Sequence, residues 1–128
     1  YLSNYTYDES GNKVENPLVK ARFANTIIYG ANSEEIGLDS VPGTAFNWSF
    51  DHAILKTERP TPNGYGYTEC RRNTDPRFID INEPDYRIDS ASPAIGAGLN
   101  LGITTDLRGK PRVDPPSLGA YEYVKGDR

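Results

Sequence analysis

Ala24-Asn-Thr-Ile-Ile-Tyr29 and Phe50-Asp-His-Ala-Ile-Leu55 align without gaps at a spacing of 26 residues, and a looser third copy follows at Thr74-Asp-Pro-Arg-Phe-Ile79. In each copy an Asn or Asp stands ahead of a short apolar pair. The Asx side chain can bond its own backbone to turn a corner, after which the apolar residues point inward. A repeat period of roughly 20 to 50 residues is the signature of stacked units that cannot bury their faces alone. The repeat predicts short β units piled on one another.

The surrounding sequence agrees. Leu18 to Tyr29 is rich in apolar and β-branched residues, with a change of phase near Asn25 that predicts two short strands meeting at a corner. Ala45 to Phe50 places Phe46, Trp48 and Phe50 on the face opposite Asn47 and Ser49. Ile36 to Leu38 and Asp85 to Asp89 are further strand candidates, the latter with Tyr86 and Ile88 inward. Tyr1 to Tyr7 reads as a strand end before the polar turn cluster Asp8 to Lys13. Between Lys56 and Arg72, proline and glycine are too frequent for a regular element, which predicts a surface loop near 57–70. Ser92-Pro93 suits the start of one or two helical turns that Gly96 or Gly98 ends. Asp106-Leu-Arg-Gly109 suits a type I turn, and Pro115-Pro116 precedes a final strand expected at Ala120 to Val124.

Bulk properties narrow the function classes. With 36% hydrophobic residues, 12 Gly and 10 Pro in 128 residues, long helices are not expected. A net charge of -4 offers no footprint for nucleic acid, and no apolar run is long enough to insert in a membrane. The single cysteine, Cys70, excludes an internal disulfide framework and a cysteine-based zinc cluster. The chain begins at Tyr1 and has no Met, so the expectation is a processed or truncated product whose upstream part carried any export signal.

Taken in order, Asn25 to Gly30, Phe50 to Lys56, Asp75-Pro-Arg-Phe-Ile-Asp80, Asp85 to Ile88, Ser92-Pro-Ala-Ile-Gly-Ala-Gly98, Asp106-Leu-Arg-Gly-Lys-Pro-Arg112 and Gly119-Ala-Tyr-Glu122 form a pattern. It resembles the C-terminal end of right-handed parallel β-helix proteins, the pectate-lyase-like secreted and surface proteins of Bacteroides and related bacteria. The resemblance runs from about Leu18 to Val124. It implies an all-β fold of two to three C-terminal coils plus an irregular cap, in an exported protein at the cell surface, in the periplasm or outside the cell. On that pattern 1–17 is the remnant of a preceding coil and turn, 18–91 holds the coils and 92–128 is the cap. An open coil end exposes apolar interior and unpaired strand edges, so upstream coils or another copy of the chain are the expected partners.

Candidate chemistry is sparse. Lyases of this architecture use carboxylates for calcium and an Arg or Lys base, and Asp75, Asp80, Asp85 and Asp89 with Arg77 and Arg87 supply those residue types. Turns between short strands explain the same spacing, and the family's active groove lies on central coils. His52, the lone histidine, is expected at a corner held by backbone. Cys70 precedes Arg71-Arg72, which would activate the thiol only if it were exposed; a bystander is expected. Neither catalytic residue, metal site nor cofactor is expected. Tyr65 and Tyr67, flanking Gly66 in the loop, are the candidates for stacking on sugar rings of a polysaccharide, against a reading in which they pack onto their own wall. Trp48, Tyr29 and Tyr121 are expected in the core. Three readings result: a non-catalytic coil and capping segment that contacts glycans, the terminal part of a polysaccharide lyase or glycoside hydrolase, and an adhesin-like module.

Overall fold

Leu18–Ala24 carries one of the densest runs of strand-favouring residues, and in the computed structural model, which describes residues 1–126, it is the longest strand. The chain is all-β, with no helix among the described residues and hence none long and apolar enough to cross a membrane. In chain order the strands are β1 (Leu2–Ser3), β2 (Tyr5–Tyr7), β3 (Lys13–Glu15), β4 (Leu18–Ala24), β5 (Ile27–Ile28), β6 (Leu38–Asp39), β7 (Phe46–Asp51), β8 (Ile54–Leu55), β9 (Tyr67–Thr68), β10 (Arg71–Arg72), β11 (Phe78–Asp80) and β12 (Asp85–Ile88). They form small sheets: parallel β4-β7-β9, parallel β5-β8-β10, parallel β1-β6, and the antiparallel hairpins β2-β3 and β11-β12.

The two three-stranded ladders share one register. Phe23 pairs Phe50 and Phe50 pairs Tyr67; Ile27 pairs Ile54 and Ile54 pairs Arg71. Between the ladders stands a residue with left-handed backbone each time: Asn25 (φ 53°), His52 (φ 52°) and Glu69 (φ 48°). Such a residue turns the chain sharply, so each β4/β5-type pair is one bent unit. The phase change near Asn25 is therefore a real corner.

The repeat itself needs two corrections. Ile27 lies beside Ile54, so the spacing is 27 residues and not 26. The corner residue of the second unit is His52, and Asp51 sits beside Ala24. A one-residue shift sends every side chain to the opposite face, and the ring stack decides which register holds. Phe23 and Phe50 lie 5.2 Å apart at 20°, and Phe50 and Tyr67 lie 5.9 Å apart at 15°. These separations follow from strands spaced about 4.8 Å apart.

The third unit is Tyr67 to Arg72, only 17 residues beyond the second. It falls partly in the stretch expected to be loop, because Gly66 lets the chain turn into β9: its φ is +86°, and a Cβ there would meet Trp48 Cζ3 at 2.6 Å. Thr74 to Ile79, the expected third copy, leaves the parallel ladders, and Phe78–Asp80 pairs antiparallel with β12.

Neighbouring residues on the second ladder face opposite ways. Ile28 and Leu55 join Phe50, Ala53, Ile36 and Tyr67 in one buried cluster. Ile27 and Ile54 join Ile88, Ala94 and Leu118 in another. The C-terminal stretch thus covers the second face of the β5-β8-β10 sheet, along a flank of the ladder. It runs from Arg71, whose Nη1 donates to Pro93 O at 2.6 Å, back to Asn25, whose carbonyl accepts from Gly119 N at 2.8 Å.

Ser92-Pro93 makes a turn and no helix; Ser92 Oγ accepts from Ala94 N at 3.1 Å and donates to Pro76 O at 2.6 Å. Asp106 to Gly109 is a turn closed by Gly109 N to Asp106 O at 2.9 Å. The strand expected at Ala120 to Val124 is absent. Its backbone bonds to that turn instead of a ladder: Leu107 N donates to Ala120 O at 3.0 Å and Glu122 N to Asp106 Oδ2 at 3.0 Å. Tyr86 is 51% exposed, so of the two residues expected inward on β12 only Ile88 is buried.

Candidate functional site

Tyr65 and Tyr67 separate cleanly. Tyr65 is 76% exposed, beyond the Gly64 turn. Tyr67 is 6% exposed, stacked on Phe50 and edge-on to Trp48 at 5.3 Å, so its ring offers no face to a sugar. Alternation explains it: Gly66 brings the following residue into β9 on the interior face, where Phe23 and Phe50 already point. Trp48 is partly buried against the same cluster, Tyr29 is partly buried beneath Lys56 Nζ at 5.1 Å, and Tyr121 is partly buried with Arg108 over its ring.

The carboxylates of 75–89 serve turns and ion pairs. Asp75 Oδ1 accepts from Arg77 N at 2.8 Å and Asp80 Oδ1 from Asn82 N at 2.9 Å. Asp89 receives Arg77 Nε on both oxygens, at 3.0 and 3.1 Å. Arg87 grips Asp85 through Nε at 2.8 Å and holds its carboxyl down at about 2. Among the described residues no group of three or more His, Cys, Asp or Glu is arranged to hold a metal ion.

His52 takes the second corner, its backbone N–H donating to Thr68 O at 2.8 Å and its Nδ1 lying 2.5 Å from Asp51 Oδ1. Arg22 binds the other Asp51 oxygen at 2.6 Å, and this arginine, ahead of the hydrogen bond from His52, keeps the Asp51 carboxyl below its ordinary range. Cys70 is partly buried, its Sγ donating to Phe50 O at 3.4 Å, and burial pushes its thiol up. The guanidinium groups of the adjacent arginines are directed elsewhere, Arg71 to Pro93 O and Arg72 to Glu58 O.

The terminal motifs find a shared explanation. Glu122 is buried and accepts from Ser117 Oγ at 2.7 Å and Ser117 N at 3.0 Å. Arg112 reaches Glu122 Oε2 at 3.4 Å, Ser117 O at 3.2 Å and Gly119 O at 2.8 Å. Asp106, its side chain fully buried, accepts from the amides of Arg108 and Lys110 at 2.8 Å each. Burial opposes its charge, but the Lys110, Glu122 and Arg108 amides outweigh burial and hold the carboxyl below its ordinary range. The motif residues are a polar lock within the C-terminal stretch.

A cleft gathers four of the residues that supply the lyase residue types, Asp75, Arg77, Asp80 and Asp89. It is about 630 Å³, lies between the Tyr29 end of β5 and the β11-β12 hairpin, and is lined by Tyr29, Phe78, Tyr86, Asp75, Asp80 and Asn82 among others. Its residues come from segments more than 40 positions apart, which only the packing of the hairpin against the ladder brings together. Besides those charged residues, the exposed ring of Tyr86 beside Phe78 is a signal in the local pattern.

The chain matches no protein-family model, no curated protein and no solved structure.

Proposed function

We propose that the chain forms the C-terminal turns of a right-handed parallel β-helix of the pectate-lyase-like kind, in an exported protein, with a structural role and a glycan-contacting surface. The observation that carries this reading is the common register of the two parallel ladders, joined at the left-handed corners Asn25, His52 and Glu69. Parallel strands in one sheet need a crossover, and such crossovers are right-handed in about 98% of cases. Each unit then becomes a turn of a coil, with Phe23, Phe50 and Tyr67 stacked inside it. The 57–66 stretch carries the second turn back to β9, and the polar lock of Asp106, Arg112 and Glu122 holds the side cover.

Where carboxylates and an arginine share a cleft, at Asp75, Arg77, Asp80 and Asp89, the arginine is tied to both oxygens of Asp89 as an ion pair, which favours a non-catalytic part over the active part of a lyase or hydrolase. Among the described residues no strand pairs with the outer edge of β4, and Val19 on it is exposed. Such an edge is an invitation to pair, and upstream turns of the same protein are its natural partner. Hydrogen exchange tests this: in a longer form of the polypeptide, the outward amides of Leu18–Ala24 are expected to gain protection over the 128-residue chain. Unchanged protection, or an experimental structure with left-handed crossovers from β4 to β7, refutes the reading.

A further inference from the structure

We propose that the cleft between Tyr29 and the β11-β12 hairpin binds a neutral, hydroxyl-rich saccharide, with the Tyr86 ring as the stacking platform. This deepens the glycan-contacting part of the reading above and is independent of how many turns the protein has. Ligand sites of roughly 300 to 1,000 Å³ combine apolar rings with a few convergent polar groups, and the cleft, at about 630 Å³, has that composition.

The rings are placed for it. Tyr86 stands edge to face with Phe78 at 5.3 Å and 82°, which fixes its orientation while half of the side chain stays open. Lys56 already covers one face of Tyr29, so Tyr86 is the available platform. Around it stand polar atoms that the fold leaves unused. The turn-making bonds of Asp75 and Asp80 go to Oδ1, and their Oδ2 atoms have no partner among the described residues. The same holds for the side-chain amide of Asn82 and the hydroxyl of Tyr86, within the described residues. Two carboxylate acceptors, an amide and a phenol beside a flat ring match the face and rim of a pyranose.

Charge selects among saccharides. Among the described residues Arg77 is the one cation in the lining, and both oxygens of Asp89 already engage it. The two carboxylates left uncompensated, Asp75 and Asp80, outnumber the single ammonium of Lys56 at the Tyr29 rim and disfavour uronates and sulfated sugars, so the ligand is neutral.

Affinity gel electrophoresis of the whole chain in mannan, galactan, xylan and polygalacturonate reads this directly. Retardation by at least one neutral polymer is expected, weakened about tenfold by Tyr86→Ala and by Asn82→Ala and unchanged by Tyr65→Ala. Because Tyr86 also packs on Phe78, Asn82→Ala in the exposed turn carries the test if Tyr86→Ala unfolds the hairpin. Three results overturn the proposal: no retardation by any neutral polymer, strongest retardation by polygalacturonate, or a loss with Tyr65→Ala that Asn82→Ala does not share. Each leaves the β-helix reading to its own test of handedness and strand protection.

Discussion

Replacing Glu122 by alanine is expected to release the C-terminal stretch from the sheet it covers. The carboxylate is the acceptor for Ser117 Oγ at 2.7 Å and Ser117 N at 3.0 Å, and the counter-charge for Arg112 at 3.4 Å. Its side chain is 2% exposed and that of Arg112 is 14% exposed, so water does not replace what alanine removes. Removing one member of a buried pair costs about 3–5 kcal/mol, because the other charge stays buried and unpaired. With a urea slope of about 2 kcal/mol per molar, the denaturation midpoint falls by about 2 M. Trp48, the sole tryptophan, lies in the other buried cluster, so its fluorescence follows unfolding without reporting on the substituted site. Glu122→Gln keeps one acceptor oxygen and the shape of the side chain, and is expected to cost about half as much. Arg112→Ala combined with Glu122→Ala is expected to cost less than the two single changes added together, since the second change removes an already orphaned group. A loss under about 1 kcal/mol for Glu122→Ala would falsify the account of a lock.

Gly66→Ala is expected to cost about 2–4 kcal/mol by urea denaturation, since it adds left-handed strain to a contact of 2.6 Å with Trp48. Gly43→Ala, with φ +81° and open space around it, is the comparison and is expected to cost about 1 kcal/mol; equal losses would remove the Trp48 contact from the explanation. The Asp85 carboxyl is held at about 2 by Arg87, below its ordinary 3.8, so it stabilises the fold at neutral pH. That stability is complete above its unfolded value and is lost as pH falls from about 4 through 2. Unfolding free energy measured across this window should fall less steeply for Asp85→Asn than for the parent chain, and parallel curves would contradict the pairing.

Local patterns reach some features and stop short of others. The corner at Asn25 is legible because a change of hydrophobic phase within a strand-rich run requires a bend. The Asp106 turn is legible because Asp ahead of Gly109 carries its own hydrogen-bonding chemistry. The expected strand at Ala120 to Val124 fails for a non-local reason: Glu122 N is satisfied by the Asp106 carboxylate, and no ladder partner remains to be found. The Pro and Gly around Tyr67 predict a loop, yet Gly66 delivers its ring to Phe50. The cleft is the least legible, since Tyr29 and Tyr86 meet only after the hairpin packs on the ladder.

Composition and turn chemistry suffice for an all-β chain of short strands with corners, because glycine, proline and Asx preferences act within a few residues of where they stand. Which residue stacks on which is decided by packing between strands. The 27-residue register, the short third unit at Tyr67 to Arg72 and the draping of the C-terminal stretch over Ile27 and Ile54 all depend on rings and aliphatic side chains meeting across the ladders. A sequence offset of a single residue would satisfy the same local preferences while turning those side chains to the wrong face.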